Sequence, residues 1–292
     1  MNRIKLIDVT LRDGGYQTNF NFHNDEITAI LTFLDQSNIE YIEIGYRNGS
    51  LLPVNDIGDV GLCHANYLKY CRSIIKHSKL TVMLHPHNVN ISDLDELRLH
   101  KVNTLRICLS KGKENKAFEI IKQAKERNFE VSVNITRISH YSEEELDKLI
   151  FKTIQQPVDI IYFADSNGSI QPTKINFLYQ RYISMTTIPF GFHAHDNLGL
   201  AQANALAALD AGVRYNDVAL AGLGKGIGNL KTDFFVAYLH SLKIKKYDMN
   251  SILEASNYVR DRFSPAKNIK IHEFQMGIED LSIDDILNMR KI

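Results

Sequence analysis

The sequence predicts a (β/α)8 barrel, the TIM-barrel fold, with a short helical tail at the carboxyl end. Short runs rich in isoleucine and valine alternate with amphipathic helical patterns, and eight such pairs follow one another along the 292 residues. Strands of this composition, separated by helices, favour a parallel sheet buried on both faces. A doubly wound open sheet is the alternative fold, but it would usually leave fewer strands at this length.

The elements follow in strict order, and no shift in composition marks a domain boundary before the eighth helix ends. We therefore predict a barrel domain over residues 1–246 and a tail of two short helices over residues 247–292, packed on the barrel or at a subunit contact. In the tail, Ser282 and Asp285 have the spacing of a capping box. The predicted strands are 4–9, 41–44, 80–84, 104–109, 130–135, 159–163, 189–193 and 216–220. The predicted helices are 25–34, 65–75, 94–99, 116–127, 143–154, 175–183, 198–211 and 232–242.

Charge and cysteine content exclude several classes of partner. Lysine plus arginine and aspartate plus glutamate both number 34, so neither a nucleic acid nor an anionic membrane surface is expected as a partner. The three cysteines form no CxxC pair, which fits a reducing compartment. No signal peptide and no apolar run long enough to span a membrane is found. We expect a cytoplasmic protein that acts on small molecules.

Polar and ionisable residues follow nearly every predicted strand. In a barrel of this type, the segments after the strands meet at one rim, where the chemistry takes place. Loops contain polar residues anyway, but a histidine pair, an Arg-Asp pair and a glycine-rich loop at equivalent positions exceed that expectation. In chain order these segments contain Arg12 to Tyr16, Glu43 to Arg47, His85 to Asn88, Asn134 to Arg137, Asp165 to Gly168, His193 to Asn197 and Gly222 to Asn229.

His193 and His195 lie two positions apart at the end of the seventh strand. Side chains alternate along a strand, so both imidazoles point to the same face. Two imidazoles at such a place can hold a borderline metal ion. The alternative is that one histidine fills the core while the other caps a loop. For Arg12 and Asp13, considered alone, the alternative is a structural ion pair at a strand end.

Five of these segments together resemble the motifs of the DRE-TIM metallolyases, the superfamily of HMG-CoA lyase-like proteins. The superfamily includes 4-hydroxy-2-oxovalerate aldolases, HMG-CoA lyase and several acyl-CoA-dependent synthases. The order and spacing of the motifs are specific for the superfamily and extend from the first strand to the eighth. The segments are Asp8 to Gly14, Glu43 to Gly45, Asp165 to Gly168, His193 to Asn197 and Gly222 to Asn229.

The resemblance implies that Asp13, His193 and His195 bind one divalent metal ion, with Asn229 as a further ligand. Two imidazoles and a carboxylate leave open positions, which a chelating 2-oxo acid can fill. This donor set accepts several ions, of which Mn²⁺ is our first choice and Mg²⁺, Zn²⁺ and Co²⁺ are the alternatives. The resemblance also implies that Arg12, whose guanidinium is always charged, stabilises an enolate oxygen.

Differences from the superfamily narrow the reaction. The synthases read Arg-Asp-Gly-Glu-Gln in the first loop, whereas Gly15 and Tyr16 follow Gly14 here. The loop before Asn229 also lacks the catalytic cysteine of HMG-CoA lyase. The hydroxy-oxo-acid aldolases fit better, although they carry a catalytic histidine at the position of Tyr16. The predicted base is therefore Tyr16 or His85.

We predict a divalent-metal-dependent aldolase that cleaves or forms a carbon–carbon bond next to a 2-oxo acid through a pyruvate-like enolate. Its partners would be a 2-oxo acid and an aldehyde, and the chain could form a homodimer. An acyl-CoA-dependent Claisen-type synthase or lyase and a non-catalytic metal-binding barrel are the alternative functions. The residues predicted to bind substrate are Glu43, Arg47, Asn134, Ser166 and Asn167.

Overall fold

A computed structural model describes residues 4–267 and 269–289 as a closed barrel of eight parallel strands. Each strand pairs with the next along the chain, and the first pairs with the eighth, with Lys5 opposite Tyr215. The prediction of a (β/α)8 barrel is confirmed. The strands are β1 (Lys5–Asp8), β2 (Tyr41–Arg47), β3 (Lys79–Leu84), β4 (Thr104–Leu109), β5 (Glu130–Ile135), β6 (Ile160–Asp165), β7 (Phe190–Ala194) and β8 (Tyr215–Val218).

Thirteen α-helices lie within the described residues. Buried leucine and isoleucine side chains on their inner faces pack against the outside of the strands. No helix among them has the length and apolar character needed to cross a bilayer. The helices are α1 (Thr10–Thr18), α2 (Asn24–Gln36), α3 (Asp59–Leu62), α4 (Ala65–Ile74), α5 (Ile91–Leu99), α6 (Glu114–Glu126), α7 (Glu143–Thr153), α8 (Pro172–Ile183), α9 (Ala201–Asp210), α10 (Thr232–Ser241), α11 (Met249–Phe263), α12 (Ile271–Ile278) and α13 (Ile283–Met289).

Helix α1 occupies a segment that the sequence analysis treated as a loop. Two adjacent glycines weaken its intrinsic helix propensity, and no side chain caps its amino end. Tertiary packing explains the glycines, because a Cβ atom on Gly15 would overlap the ring of Phe20 and one on Gly14 would crowd Leu223. Close packing against Phe20 and Leu223 therefore explains both the glycines and the helix. Helix propensity alone does not predict a helix here.

The carboxyl-terminal segment contains three helices, so the expectation of two short ones was wrong. Helix α11 packs beside α2 and α10, and ion pairs from Arg262 to Glu26 and from Arg260 to Asp233 attach it there. Helix α11 is fifteen residues long, and the periodicity of its apolar face could have revealed it in the sequence. The predicted capping box at the start of α13 is present, since the backbone N–H of Ser282 donates to Asp285 over 2.7 Å.

Helices α12 and α13 lie over the carboxyl ends of the strands. Asp280, in the turn between them, accepts hydrogen bonds from Ser139 Oγ at 2.8 Å, Ser169 Oγ at 2.6 Å and Asn167 Nδ2 at 2.8 Å. Residues after β5 and β6 therefore hold this turn through one carboxylate. As a result, α12 faces the open end of the barrel and contributes to the cavity there.

Strand β2 contains an irregularity at Gly45 that matters for the site. The pairing register with β3 shifts between Glu43 and Tyr46, and Gly45 has a φ of +155°. The backbone oxygen of Val60 occupies the space that a Cβ atom on Gly45 would need. A bulge of this kind reverses which side chains face inward along the rest of the strand.

Replacing Gly45 with alanine should destabilise the protein by about 3 kcal/mol or more, because the new methyl group overlaps backbone that cannot rotate away. Chemical denaturation of purified protein would measure this loss. Gly112→Ala is the matched control, since that glycine also has positive φ but no atom lies within 4 Å of the place that the new methyl group would take. It should cost only about 1 kcal/mol. Equal losses for the two variants would contradict the role given to Val60.

Candidate active site

A cavity of about 380 Å³ opens at the carboxyl ends of the strands. Its wall is formed by the strand ends, by α1 and α12, and by the loops that follow β2 and β8. This is the rim at which barrel enzymes place their reactive groups. The sequence-predicted residues that line it are Arg12, Asp13, Tyr16, His85, Asn134, Ser166, His193 and His195.

Asp13, His193 and His195 form a compact group of metal-ligating atoms. Their candidate ligand atoms all lie within 4.8 Å of one another, and all three residues are buried. The Nε2 atoms of the two histidines are 3.3 Å apart, and Nε2 of His195 lies 3.9 Å from Oδ2 of Asp13. Two imidazole nitrogens and a carboxylate that converge in this way fit a divalent cation. Three protein ligands would leave further coordination positions for a substrate.

Asn229 lies against the same carboxylate. Its Nδ2 atom donates a hydrogen bond to Oδ2 of Asp13 over 2.5 Å, while its buried Oδ1 has no partner in the described part of the chain. Rotation of the amide by half a turn would present its oxygen to a cation. The expected role of Asn229 as a ligand is compatible with this position.

Buried charged groups behind the cavity orient His193. Its Nδ1 atom lies 2.9 Å from Oδ2 of Asp217, which leaves Nε2 directed toward the other ligands. Carboxylates that contact the outer nitrogen of a metal-binding histidine set its tautomer and ring orientation. Asp217 in turn accepts a hydrogen bond of 2.7 Å from Nη2 of Arg106, a side chain that is only 1% exposed.

The same network continues to the other side of the site. Nη1 of Arg106 lies 3.1 Å from Oε2 of Glu43, and that oxygen also accepts a hydrogen bond of 2.7 Å from Nε of Arg12. Nη1 of Arg12 then contacts Oδ1 of Asp13 at 2.5 Å. An unbroken series of alternating charges therefore connects the candidate ligand on α1, Asp13, with the candidate ligand on β7, His193.

These charges keep the donor atoms in a state that can bind a metal. Burial acts to raise the pKa of Asp13, but Arg12, His195 and His193 together outweigh it and lower the pKa below its usual value. Burial lowers the pKa of His195 to about 3, so its imidazole is neutral at neutral pH. A carboxylate and a neutral imidazole are the forms that coordinate metals.

Tyr16 lies one helical turn after Asp13, so α1 presents both side chains to the cavity. Its phenol oxygen is 3.3 Å from that of Tyr46. Burial raises the pKa of Tyr16 above its usual value of 10, so the phenol keeps its proton at neutral pH. Tyr16 is therefore suited to donate a hydrogen bond or a proton and poorly suited to act as a base.

His85 faces the same cavity from the end of β3. Its ring stacks on that of Tyr46 with centroids 5.2 Å apart, and its Nε2 lies 4.0 Å from the thiol of Cys108. Burial lowers the pKa of His85 to about 4, and the positive charges of Arg12 and Lys113 act in the same direction. The imidazole is thus neutral and able to accept a proton.

Three residues expected to bind substrate do not line the cavity. Arg47 pairs with Asp93 and Glu96 on α5, because the bulge at Gly45 turns Tyr46 inward in its place. The other two serve as supports: Glu43 lies behind the wall as the partner of Arg12 and Arg106, and Asn167 donates to Asp280.

The sequence analysis also missed several residues that line the cavity. Lys225 was visible within the glycine-rich segment after β8, but the sequence analysis gave it no role. Tyr46 faces the cavity only because of the bulge at Gly45. The residues on α12 had no local signal, since only the folded tail brings them to the cavity. The missed lining residues include Tyr46, Arg137, Lys225, His272, Glu273 and Met276.

A parallel barrel with a carboxylate and two imidazoles at the carboxyl ends of its strands defines a class of metal-dependent barrel enzymes. The HMGL-like family model matches residues 3–259, and the chain belongs to this family of DRE-TIM proteins. The proposed resemblance to this superfamily and to its aldolase branch is confirmed.

The names of two relatives agree with this class of enzyme. The chain is 31% identical to the 4-hydroxy-2-oxovalerate aldolase of Carboxydothermus hydrogenoformans over 88% of this chain and 77% of that one. It is 28% identical to the oxaloacetate decarboxylase of Mycobacterium tuberculosis over 86% and 74% of the two chains. The family and these relatives make the protein a metal-dependent carbon–carbon lyase.

Solved structures show the same fold. The N-terminal domain of a candidate aldolase from Bacteroides vulgatus superimposes with a TM-score of 0.84 at 29% identity, over 98% of this chain and 100% of that one. The carboxyl transferase domain of Rhizobium etli pyruvate carboxylase gives a TM-score of 0.81 at 18% identity, over 100% of this chain and 53% of that one. The second similarity concerns the fold alone.

Replacing Asp217 with asparagine should weaken metal binding about 10- to 100-fold, because the amide no longer favours the required tautomer of His193. Calorimetric titration of metal-free protein with Mn²⁺ would measure the affinity, and a thermal melt would verify folding. Asp147→Asn removes a carboxylate that pairs with Arg181 on the outside of the barrel. It should leave the affinity within about twofold. Unchanged metal affinity in a folded Asp217→Asn protein would be inconsistent with the orienting role.

Proposed function

We propose that this protein is a 2-oxo acid aldolase of the 4-hydroxy-2-oxo-acid type, which cleaves or forms a carbon–carbon bond through a pyruvate-like enolate. The observation that carries the proposal is the placement of Asp13, His193 and His195 beside Arg12 at one cavity wall. An acyl-CoA-dependent reaction finds less support, since the relatives described above carry the names of aldolases and a decarboxylase.

The three ligands would hold one divalent ion, with Mn²⁺ as the proposed metal and Asn229 as a further ligand. When bound, such an ion supplies Lewis-acid polarisation of a 2-oxo acid and stabilises the enolate. The mixture of nitrogen and oxygen donors accepts Mn²⁺ without the thiolates that softer metals prefer. The protein's own contribution is to fix these donors and to keep their charge.

Arg12 is proposed to stabilise negative charge on the enolate oxygen. Two of its nitrogens are already used, by Glu43 and by Asp13, which fixes the orientation of the planar group. Its remaining N–H groups can face a ligand, because the side chain lines the cavity. A donor fixed before the reaction costs no reorganisation when charge develops.

His85 and Tyr16 are proposed to divide the proton transfer. In cleavage, the neutral imidazole of His85 accepts the proton of the substrate hydroxyl as the carbon–carbon bond breaks. The protonated phenol of Tyr16 donates a hydrogen bond to the same oxygen, and it can deliver a proton to the enolate carbon. The two pKa shifts support His85 over Tyr16 as the proposed base.

Decarboxylation of a 3-carboxy-2-oxo acid is the second candidate, and Tyr16 is the observation that favours it. Loss of carbon dioxide produces the same enolate without a base, so that only a proton donor is needed afterward. A phenol with a raised pKa can serve as that donor. Similarity to an oxaloacetate decarboxylase agrees with this candidate.

Residues 1–246 are proposed as the catalytic barrel and residues 247–292 as the tail. Asn134 and Ser166 remain proposed substrate contacts, since both line the cavity. A 2-oxo acid and an aldehyde are the proposed small-molecule partners, and a homodimer is the proposed assembly. Three buried free thiols, at Cys63, Cys71 and Cys108, suit the reducing conditions of the cytoplasm, the proposed location.

Exchange of the methyl protons of pyruvate in D₂O is the first test, because it needs only the enolate and no aldehyde. Proton NMR should show metal-dependent loss of the methyl signal, faster than in protein-free solution that contains the same metal. Paramagnetic ions would be removed before the spectra are recorded. Absence of exchange with Mn²⁺, Mg²⁺, Zn²⁺ and Co²⁺ alike would contradict the proposal.

Arg12→Ala should slow this exchange by about 100-fold or more, as expected when a preorganised donor to an oxyanion is removed. Arg98→Ala is the control, since Arg98 is an exposed residue of α5 outside the cavity lining. The Arg98 variant should exchange at the wild-type rate. Comparable exchange in the Arg12 variant, with metal bound, would remove Arg12 from the mechanism.

The pH dependence of aldol cleavage should be flat between about pH 5.5 and about pH 8. His85 is active as the neutral base, and its pKa is lowered to about 4, so activity declines only as the pH falls toward that value. Measurement of kcat/KM for 4-hydroxy-2-oxovalerate across this range would test it. His85→Gln should lower kcat/KM at every pH. A decline of kcat/KM near pH 6.5 that persists in the His85 variant would contradict this assignment. Another group would then accept the proton.

A further inference from the structure

Lys225 lines the cavity, yet the proposed reaction does not use it. The residue lies between β8 and α10, and its side chain shares the cavity wall with Arg12 and Tyr16. Among the residues that the structure describes, no carboxylate lies within ion-pair distance of its ammonium group. Asp13 and Asp284 attract the ammonium only from beyond ion-pair distance. A cation at the wall of a concave site that makes no direct ion pair is available to a ligand.

The backbone around Lys225 is held firmly. Nε2 of Gln17 donates to the carbonyl oxygens of the residues on either side of Lys225, over 2.9 Å and 3.2 Å. The backbone N–H of Lys225 itself donates to Oδ2 of Asp13 over 3.3 Å. The side chain therefore starts beside the proposed metal ligands, from a loop that α1 fixes on both sides.

The charges around Lys225 favour an anion. Arg137 lines the same cavity and pairs with Asp284 at 2.8 Å. Glu273 also lines it, but its carboxylate accepts the backbone N–H of Lys270 at 2.7 Å and caps α12. Arg137 and Arg12 repel the ammonium of Lys225, whereas Asp13 and Asp284 attract it. An anion placed between the three cations would reduce the repulsion that remains among them.

We infer that Lys225 binds a second carboxylate of the substrate, so that the site prefers 2-oxo acids that carry one. The inference deepens the proposed function and rests on it. Because the loop lies against Asp13, this carboxylate would lie close to the reacting carbons. A compact dicarboxylate suits a cavity of about 380 Å³. The residue acts on substrate selection and takes no part in breaking the bond.

Lactate and malate provide a matched pair of unreactive probes. Both are 2-hydroxy acids, and malate differs only by a carboxylate on the third carbon. Calorimetric titration of the Mn²⁺-loaded protein should show malate binding at least about tenfold more tightly than lactate, the size expected for one charge-assisted contact. Lys225→Met should lose most of that preference, chiefly through weaker binding of malate, and the preference should decrease with added salt.

Two further variants separate charge from folding. Lys225→Arg keeps the charge and should retain a preference for malate of at least about threefold. Lys122→Met removes an exposed lysine of α6 outside the cavity lining and should bind both probes as the wild type does. Thermal melts would verify folding, and Lys225→Gln replaces the Met variant if that one does not fold.

A wild-type protein that binds malate no more tightly than lactate would overturn the inference. So would an unchanged preference in folded Lys225→Met or Lys225→Gln protein. Pyruvate exchange separates this failure from that of the proposed function. Exchange without a malate preference would remove only the role of Lys225. A malate preference that depends on Lys225, without exchange, would support that role and remove only the proposed reaction.

Discussion

The buried series of ion pairs and polar contacts from Asp13 to His193 is the interaction on which the rest of the site depends. It passes through Arg12, Glu43, Arg106 and Asp217 and crosses the interior of the barrel. Removal of such charges from water is costly unless each has a partner, and the alternation supplies one at every step. Two candidate metal ligands that are 180 positions apart in the sequence are thereby held in one arrangement.

The same constraint explains why the barrel interior is polar near the site. Arg106 is fully buried, lies over the ring of Tyr162 at 4.4 Å and contacts two carboxylates. A hydrophobic residue there would leave Asp217 without its arginine partner and Glu43 with Arg12 alone. Polar interior groups of this kind lower packing stability but fix the geometry of the candidate metal ligands.

The segments that build the cavity contribute different chemistry, and they include the loops after β2 and β8. The strand ends supply His193, His195 and His85, whereas α1 supplies Arg12 and Asp13 together with the phenol of Tyr16. The tail closes one side through α12. Aldol cleavage and decarboxylation both pass through an enolate, so the shared features of these segments serve either reaction. The two reactions differ because aldol cleavage needs a base and decarboxylation does not. The roles of His85 and Tyr16 therefore distinguish them.

The sequence by itself determined the barrel, the positions of all eight strands to within a few residues, and the group Asp13, His193 and His195. These features depend on local periodicity: a two-residue repeat places both imidazoles on one face, and parallel strands end at one rim. The motifs that carry the family resemblance also lie within single segments.

Only the tertiary structure decided the remaining features. The bulge at Gly45 turns Tyr46 inward and Arg47 outward because the backbone near Val60 approaches too closely for a side chain. Helix α1 forms despite its glycines because Phe20 and Leu223 pack against it. Met276 reaches the cavity because Asp280 is bound by residues more than a hundred positions earlier. Each of these outcomes depends on contacts between distant segments, which no local pattern in the chain can specify.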